Sequence, residues 1–157
     1  MKKANFLTKL QREGKVALVE PSEETQRAYM QKSESYLASA KLLLKNNRLE
    51  EAVSITYYCM YYMLLALLFR VGIKSENHMA SILLLEKVFG IDNQKIMFAK
   101  EERIDKQYYI DFQVTKKDVE DLVQIAESFI SDLANTLATL TNENIRMYRE
   151  KAHSMWS

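Results

Sequence analysis

Glycine, proline, cysteine and histidine are scarce in this chain of 157 residues, which contains three Gly, one Pro, one Cys and two His. Glycine and proline are the residues of tight turns, so their scarcity argues against a fold built from many β-hairpins. A single cysteine excludes an intramolecular disulfide framework and a cysteine cluster for metal. Since His78 and His153 are the only histidines, one chain cannot assemble a histidine-rich metal site. The composition predicts an all-α protein that needs no metal or other cofactor.

The charge of the chain is nearly balanced, with 22 basic and 21 acidic residues and a formal net charge of +1. Such a balance excludes a general attraction to nucleic acid or to a membrane surface, although it is compatible with a local charged site. Lys2 and Lys3 near the N-terminus are not followed by the apolar segment of a secretory signal. We therefore expect a cytoplasmic protein that does not associate with a membrane.

Residues 52–72 form a long apolar stretch, and between Ile55 and Phe69 only Thr56 is clearly polar. A helix that is apolar on every side is either buried among other helices or embedded in lipid. The stretch is shorter than the roughly 20 apolar residues that a bilayer requires, and its tyrosine hydroxyls need hydrogen-bond partners. It is therefore predicted to be the central helix of a bundle. Its apolar surface also predicts a homodimer. Any of the four tyrosines between Tyr57 and Tyr62 can be the one that faces the partner.

Apolar residues at three- and four-residue steps, bounded by capping residues, predict further helices before and after this stretch. The residues predicted to start a helix are Ser22, Leu49, Asn77, Asp92, Thr115 and Thr141, and those predicted to end one are Asn47, Gly72 and Gly90. Residues 15–20 have extended character, and residues 73–76 and 109–114 are each predicted to be a loop. The fold class is therefore all-α, an up-and-down helical bundle of four main helices with short extra helices.

The chain is predicted to hold one helical domain with a short segment at each end. Residues 1–21 are predicted to be an N-terminal arm, residues 22–140 the helical bundle, and residues 141–157 a short C-terminal helix. Pro21 separates the arm from the bundle. The simplest interpretation of the arm is that it packs on the bundle, and a partner-binding arm is the alternative.

The order of motifs in residues 57–78 resembles that of a known family. These residues read Tyr-Tyr-x-Met-Tyr-Tyr, then a run of Ala and Leu, then Gly72 and, a few positions on, Asn77-His78. The same succession is typical of HEPN domains (higher eukaryotes and prokaryotes nucleotide-binding). The helices predicted around residues 36–44 and 121–133 are similar in register to helices of that family. The resemblance covers about residues 25–138.

The resemblance implies a small helical bundle that forms homodimers. Many HEPN domains are metal-independent ribonucleases, and many are encoded beside a minimal nucleotidyltransferase as a toxin–antitoxin pair. By resemblance, this chain is expected to bind RNA or a nucleotide, to be a partner of such a nucleotidyltransferase, or both. The alternative from a different class is a non-enzymatic helical module whose apolar, tyrosine-rich face binds another protein.

The active motif of the family is an Arg followed, after a short gap, by a His, and one branch of small prokaryotic members carries Arg-x-x-Ala-Asp-Tyr instead. Residues 103–108 of this chain read Arg-Ile-Asp-Lys-Gln-Tyr, and no His follows at the family's spacing. The resemblance thus implies Arg103 and Tyr108 as catalytic and RNA- or nucleotide-binding residues. The alternative is that Arg103 is a solvated charge paired with a neighbouring acidic residue and Tyr108 a packing residue.

Two further candidates involve the histidines. His78 aligns with the family's Thr-His position at a helix start, where it is either structural or close to the RNA- or nucleotide-binding site. Arg146 and His153 have six intervening residues, which is within the family's motif spacing, but they follow the last family helix. Arg146 and His153 are therefore a second, less favoured pair of catalytic candidates.

Overall fold

The computed structural model describes residues 2–108, 110 and 113–157, with side chains from Phe6 onward except those of Gln107 and Tyr108. Seven helices lie in this part of the chain: α1 (Lys2–Arg12), α2 (Glu23–Lys45), α3 (Leu49–Arg70), α4 (His78–Phe89), α5 (Gln94–Tyr108), α6 (Lys116–Ala138) and α7 (Asn142–Trp156). Two short strands, β1 (Val16–Leu18) and β2 (Ile73–Ser75), form the sheet. The predicted all-α class is confirmed, because the sheet is a minor addition to a helical bundle.

Helix α3 is the centre of the bundle, as its composition predicts. It packs against α2, α4, α5 and α6, and most of its side chains are buried among them. By length and composition, α3 is the one helix in the described residues that would suffice to cross a membrane, but 72% of its apolar window is buried inside the protein. Burial by neighbouring helices is the behaviour of a core helix.

Four of the predicted helix caps, at Ser22, Asn77, Thr115 and Thr141, are confirmed. Each capping side chain accepts a hydrogen bond from a backbone N–H that the first turn leaves without an intrahelical partner. The pairs are Ser22 with Thr25 before α2, Asn77 with Ala80 before α4, Thr115 with Asp118 before α6, and Thr141 with Asn144 before α7. Gly72 and Gly90 follow α3 and α4 with φ of 80° and 65°, which is the left-handed conformation expected after a helix end.

The prediction of a loop at residues 73–76 is wrong. Ile73–Ser75 is strand β2, and it pairs antiparallel with β1 in the register Val16 with Ser75 and Leu18 with Ile73. The extended segment near the N-terminus supplies the partner strand, so the backbone groups of both segments are hydrogen-bonded. The side chains of Val16 and Ile73 are completely buried, which ties the strand pair to the core.

Of the predicted loop at residues 109–114, positions 109, 111 and 112 lie outside the described residues. Helix α5 extends to Tyr108 and α6 begins at Lys116 after the Thr115 cap. Helix α5 begins two residues after Asp92, whose carboxylate accepts a hydrogen bond from the backbone N–H of Gln94 at 2.9 Å.

Helix α7 is anchored to the strand pair by one arginine. Arg149 Nη1 donates hydrogen bonds to the carbonyl oxygens of Val19 (2.6 Å), Val71 (3.1 Å) and Gly72 (3.1 Å). These carbonyls lie at the end of α3 and beside β1, where a cation complements the negative end of the helix dipole. The predicted boundary between bundle and C-terminal helix, at residue 140, falls between α6 and α7.

Substituting Gly72 with alanine should destabilise the protein more than substituting Gly90. Both residues have positive φ, which costs an L-residue about 1–2 kcal/mol. A Cβ at Gly72 would also collide with the Arg149 guanidinium and the Val19 carbonyl, whereas a Cβ at Gly90 would meet open space. Overpacking adds about 1–3 kcal/mol. Urea unfolding of Gly72→Ala and Gly90→Ala measures the free energy of unfolding of each variant. Equal losses of stability would contradict the close packing of Arg149 and Val19 around Gly72.

Candidate functional site

Three helices bring a cluster of aromatic and basic side chains together beside the middle of α3. Tyr57 and Tyr58 lie on one turn of α3, and Tyr61 lies on the next turn. His78 is the first residue of α4, and the Asn77 cap fixes where that helix starts. Since α4 and α5 both pack against α3, His78 from one and Arg103 from the other approach the same tyrosines.

The imidazole of His78 is held in one orientation by α3. Its Nδ1 lies 2.8 Å from the hydroxyl of Tyr57, and its ring stacks on Tyr61 with centroids 3.9 Å apart and planes 12° apart. Tyr58 meets the same ring edge-on at 6.3 Å. The hydroxyl of Tyr61 is hydrogen-bonded to Ser81 Oγ at 3.1 Å, one turn along α4. Stacking and hydrogen bonding together restrict the rotation of the imidazole.

The guanidinium of Arg103 is held over two tyrosine rings. Its central carbon lies 5.0 Å from the ring centroid of Tyr57 and 5.4 Å from that of Tyr58. Its Nη1 donates a long hydrogen bond of 3.4 Å to the Tyr58 hydroxyl. The negative faces of the rings attract the cation within this range of about 6 Å. Arg103 is half-buried in consequence, with its planar group oriented by α3.

The electrostatics of the cluster favour a neutral histidine beside a positive arginine. Burial lowers the pKa of His78, and the positive charges of Arg103 and Lys100 lower that pKa further. Burial raises the pKa of Tyr57, and neighbouring Tyr61 raises it further, so the phenol stays protonated near neutral pH. The cluster therefore combines fixed positive charge with polar hydrogen-bonding groups, which suits an anionic ligand such as a phosphate.

The predicted residues Arg103 and His78 are thus brought together through Tyr57, which contacts both. We call Arg103, His78, Tyr57, Tyr58 and Tyr61 together the Arg103 cluster. Tyr108 is the last residue of α5, but its side chain lies outside the described residues, so its predicted role stays a prediction. The roles of Tyr57 and Tyr58 as direct partners of Arg103 were missed by sequence reasoning. The pattern that could have indicated these roles is the Tyr57-Tyr58 pair, which is part of the family resemblance. The same pair is also compatible with a buried core helix.

The second predicted pair lies elsewhere, on α7. Arg146 is exposed and paired with Glu143 at 2.6 Å and Glu150 at 3.5 Å, and His153 is exposed beside Ser157. Arg146 and His153 both line a shallow surface depression. Because the two carboxylates already neutralise Arg146, this pair is less suited to an anion than Arg103 is.

The described residues contain no group of three or more His, Cys, Asp or Glu side chains that could hold a metal ion. The single cysteine, Cys59, is buried, and burial raises the pKa of its thiol to about 12. A buried thiol with a raised pKa is a poor nucleophile, because the thiolate is the reactive form. Candidate chemistry in the described residues therefore centres on His78 and Arg103.

Fold and site together define a helical-bundle domain with a tyrosine-lined arginine and histidine cluster. The family model of the HEPN domain matches residues 26–137. A protein of Thermotoga maritima described as a UPF0332 protein is 29% identical over 113 residues, which are 66% of this chain and 84% of that protein. The chain belongs to the HEPN domain family, and the resemblance predicted from its tyrosine-rich segment is confirmed.

His78 should make the protein less stable in mild acid. Folding lowers the pKa of His78, so the unfolded chain binds more protons as the pH falls below the ordinary histidine pKa of about 6.5. Stability rises with pH wherever the unfolded state binds more protons, so this contribution is unfavourable below that pH.

Denaturant unfolding across pH 5–8 tests this with two matched variants, each lacking one of the two histidines. Between neutral and acid pH, His78→Asn should lose less free energy of unfolding than wild type, whatever the effect of the substitution near neutral pH. His153→Asn removes an exposed histidine and should keep the wild-type profile. If the stability of wild type and of His78→Asn fell in parallel as the pH is lowered, the acid loss of stability could not be assigned to His78.

Proposed function

We propose that this protein is a homodimeric, cytoplasmic HEPN protein that binds RNA or a nucleotide through a phosphate held at Arg103. The proposal includes metal-independent cleavage of RNA and pairing with a minimal nucleotidyltransferase in a toxin–antitoxin-type module. The observation that carries it is the Arg103 guanidinium, held over Tyr57 and Tyr58 next to His78. Membership of the HEPN family supports it, since such domains often have ribonuclease-like or toxin–antitoxin roles.

The phosphate-binding step rests on pre-organisation of Arg103. A guanidinium presents its donors in a planar fork that matches a phosphate. Contact with the two rings restricts that fork before a ligand arrives, so less side-chain entropy is lost on binding. The Tyr58 hydroxyl, 3.4 Å from Nη1, is a further polar group at the same place.

An unpaired base can be bound beside that phosphate. Tyr58 is partly exposed, and we place it at the edge of the proposed dimer interface, whereas Tyr62 lies inside that interface. The Arg103 guanidinium carbon lies 5.4 Å from the centroid of the Tyr58 ring. Aromatic rings interleaved with cations are the usual means of holding single-stranded nucleic acid, because bases stack on the rings while the cations meet the backbone. This arrangement favours single-stranded RNA over a duplex.

Cleavage without a metal requires a group that can move a proton near neutral pH. Tyrosine and arginine ordinarily titrate near pH 10 and above 12, so Arg103 and a tyrosine stabilise charge but transfer protons poorly. His78 is the residue beside Arg103 with an ordinary pKa near neutrality. His78 is the first residue of α4. In this proposal it takes the part of the histidine that is absent after Arg103 in the sequence.

The proposed dimer uses the part of α3 that the bundle leaves open. Ile55, Tyr58, Tyr62 and Phe69 lie along one side of α3 and remain partly exposed, whereas Tyr57 and Tyr61 are buried within the protomer. Tyr58 also contacts Arg103. A two-fold interface along this side would place two Arg103 clusters near each other, at the edge of a shared cleft.

A glutamate at Tyr62 should dissociate the dimer, because it places a charge at the centre of the proposed interface. Leu42→Glu is the matched control, since Leu42 is 62% exposed on α2. Light scattering should give twice the mass of one chain for wild type and Leu42→Glu, and the mass of one chain for Tyr62→Glu with its helix content intact. A monomeric wild type at micromolar concentration would contradict the dimer.

Arg103→Ala should weaken RNA binding by about 10- to 100-fold, the cost of losing a charge-assisted hydrogen bond to phosphate. Arg146→Ala is the matched control, because that arginine is exposed and already paired with Glu143; it should change binding by less than about twofold. Fluorescence anisotropy with a labelled single-stranded RNA measures both, with circular dichroism to verify folding.

Loss of RNA binding on changing His153 but not Arg103 would instead assign the site to α7. If neither change affects binding, or wild type binds no RNA, the non-enzymatic interaction module becomes the better function. Cleavage of a mixed RNA pool should persist in excess chelator, and a requirement for added metal would contradict the metal-independent mechanism. Co-purification with a minimal nucleotidyltransferase encoded next to this chain tests the predicted partner.

A further inference from the structure

One nitrogen of the His78 ring is committed and the other is available. Nδ1 is hydrogen-bonded to the Tyr57 hydroxyl at 2.8 Å. Within the described part of the chain, Nε2 has no hydrogen-bond partner. One face of the ring is covered by Tyr61, and the ring is half-buried. The fold therefore presents a single polar edge of the imidazole toward solvent, beside Arg103.

Among the described residues, the charged groups that act on this ring are both positive. Arg103 and Lys100 approach from α5, and both disfavour the imidazolium. From α3 the neighbours are the phenols of Tyr57, Tyr58 and Tyr61, and the pKa of Tyr57 and of Tyr61 is raised by burial, so these stay neutral. Burial and these cations thus both lower the pKa of His78 and keep the ring neutral, and an anion placed among the cations would offset their effect and favour the imidazolium.

We propose that His78 is a second phosphate ligand beside Arg103 and binds the anion as the imidazolium, so that the His78 ring takes up one proton for each phosphate bound. This inference rests on the proposed function, in which Arg103 holds a phosphate of RNA or a nucleotide. The bound group would then be held by a guanidinium from α5 and by His78 Nε2–H from α4. Both donors are oriented by the same tyrosines of α3.

Tyr57 is suited to both protonation states of the ring. A phenol hydroxyl can donate to the bare Nδ1 of a neutral imidazole or accept from Nδ1–H of an imidazolium. Because the raised pKa of Tyr57 keeps its proton on the phenol, the pair stays hydrogen-bonded before and after proton uptake. The ring therefore keeps its orientation when the charge changes, and Nε2 stays directed to the ligand.

The first test follows the two histidines by NMR as the pH is lowered, with and without saturating sulfate. Sulfate imitates a phosphate but does not itself titrate in this range, so any change belongs to the protein. Sulfate should move the titration of His78 upward by at least about one pH unit, which corresponds to tenfold tighter binding by the protonated form. His153 is the internal control and should move much less. Equal movement of both histidines, or none at His78, would overturn the inference.

The second test measures the affinity for a short 2′-O-methyl RNA, which cannot be cleaved through its 2′-oxygen. Phosphodiesters keep one negative charge across this range, so binding should strengthen about tenfold from pH 8 to pH 5.5 if His78 takes up a proton. His78→Asn should bind with a flat profile. Arg103→Ala should bind weakly at every pH.

The outcomes separate the two proposals. If the RNA affinity of wild type does not change with pH but still requires Arg103, proton uptake by His78 is contradicted and the proposed function is not. Absence of any RNA binding would remove the proposed function, and the sulfate titration would still decide whether Arg103 and His78 form an anion site. Retention of the wild-type slope in His78→Asn would assign the proton to another group and overturn the inference.

Discussion

The absence of a polar face on α3 is the constraint on which the rest of the structure depends. Nearly every side chain between Ala52 and Leu68 must be removed from water, and helices on several sides are needed to achieve that. At about 25 cal/mol per Å² of apolar surface, burying such a helix is the dominant favourable contribution to the fold. The positions of α4 and α5, and hence of His78 and Arg103, follow from their packing against α3.

Tyr57 joins this core to the candidate site. Its side chain is completely buried among apolar groups, yet its hydroxyl holds His78 and its ring lies under Arg103. A buried hydroxyl without a partner would cost about 1–3 kcal/mol, so the interaction with His78 serves stability as well as orientation. The same tyrosine therefore fixes the geometry of two functional groups that come from two other helices, α4 and α5.

Much of the fold could be predicted from local signals. The caps at Ser22, Asn77, Thr115 and Thr141 depend on side chains a few residues from their partners, so the sequence displays them directly. The pairing of β1 with β2 could not be predicted, because short strands far apart in the chain carry no local sign of each other. The anchoring of Gly72 by Arg149 from α7 is long-range in the same way.

The candidate site shows the same division. Arg103 was identified from family register, and its half-buried position over Tyr57 and Tyr58 depends on contacts between α5 and α3 that no spacing in the sequence reveals. His78 was identified from the family's Thr-His position at a helix start, as a residue that is either structural or close to the RNA- or nucleotide-binding site. Its approach to Arg103 became visible when α4 and α5 were placed against one helix.

The central claim is that Arg103 and His78 act as one site on a shared scaffold. A double-mutant cycle of RNA affinity, with Arg103→Ala, His78→Asn and the combined variant, tests it most directly. Residues that share a ligand group are coupled by about 0.5–3 kcal/mol. We predict that the double variant loses less affinity than the sum of the two single losses. Additive losses would mean that the two residues bind independently and would contradict the account.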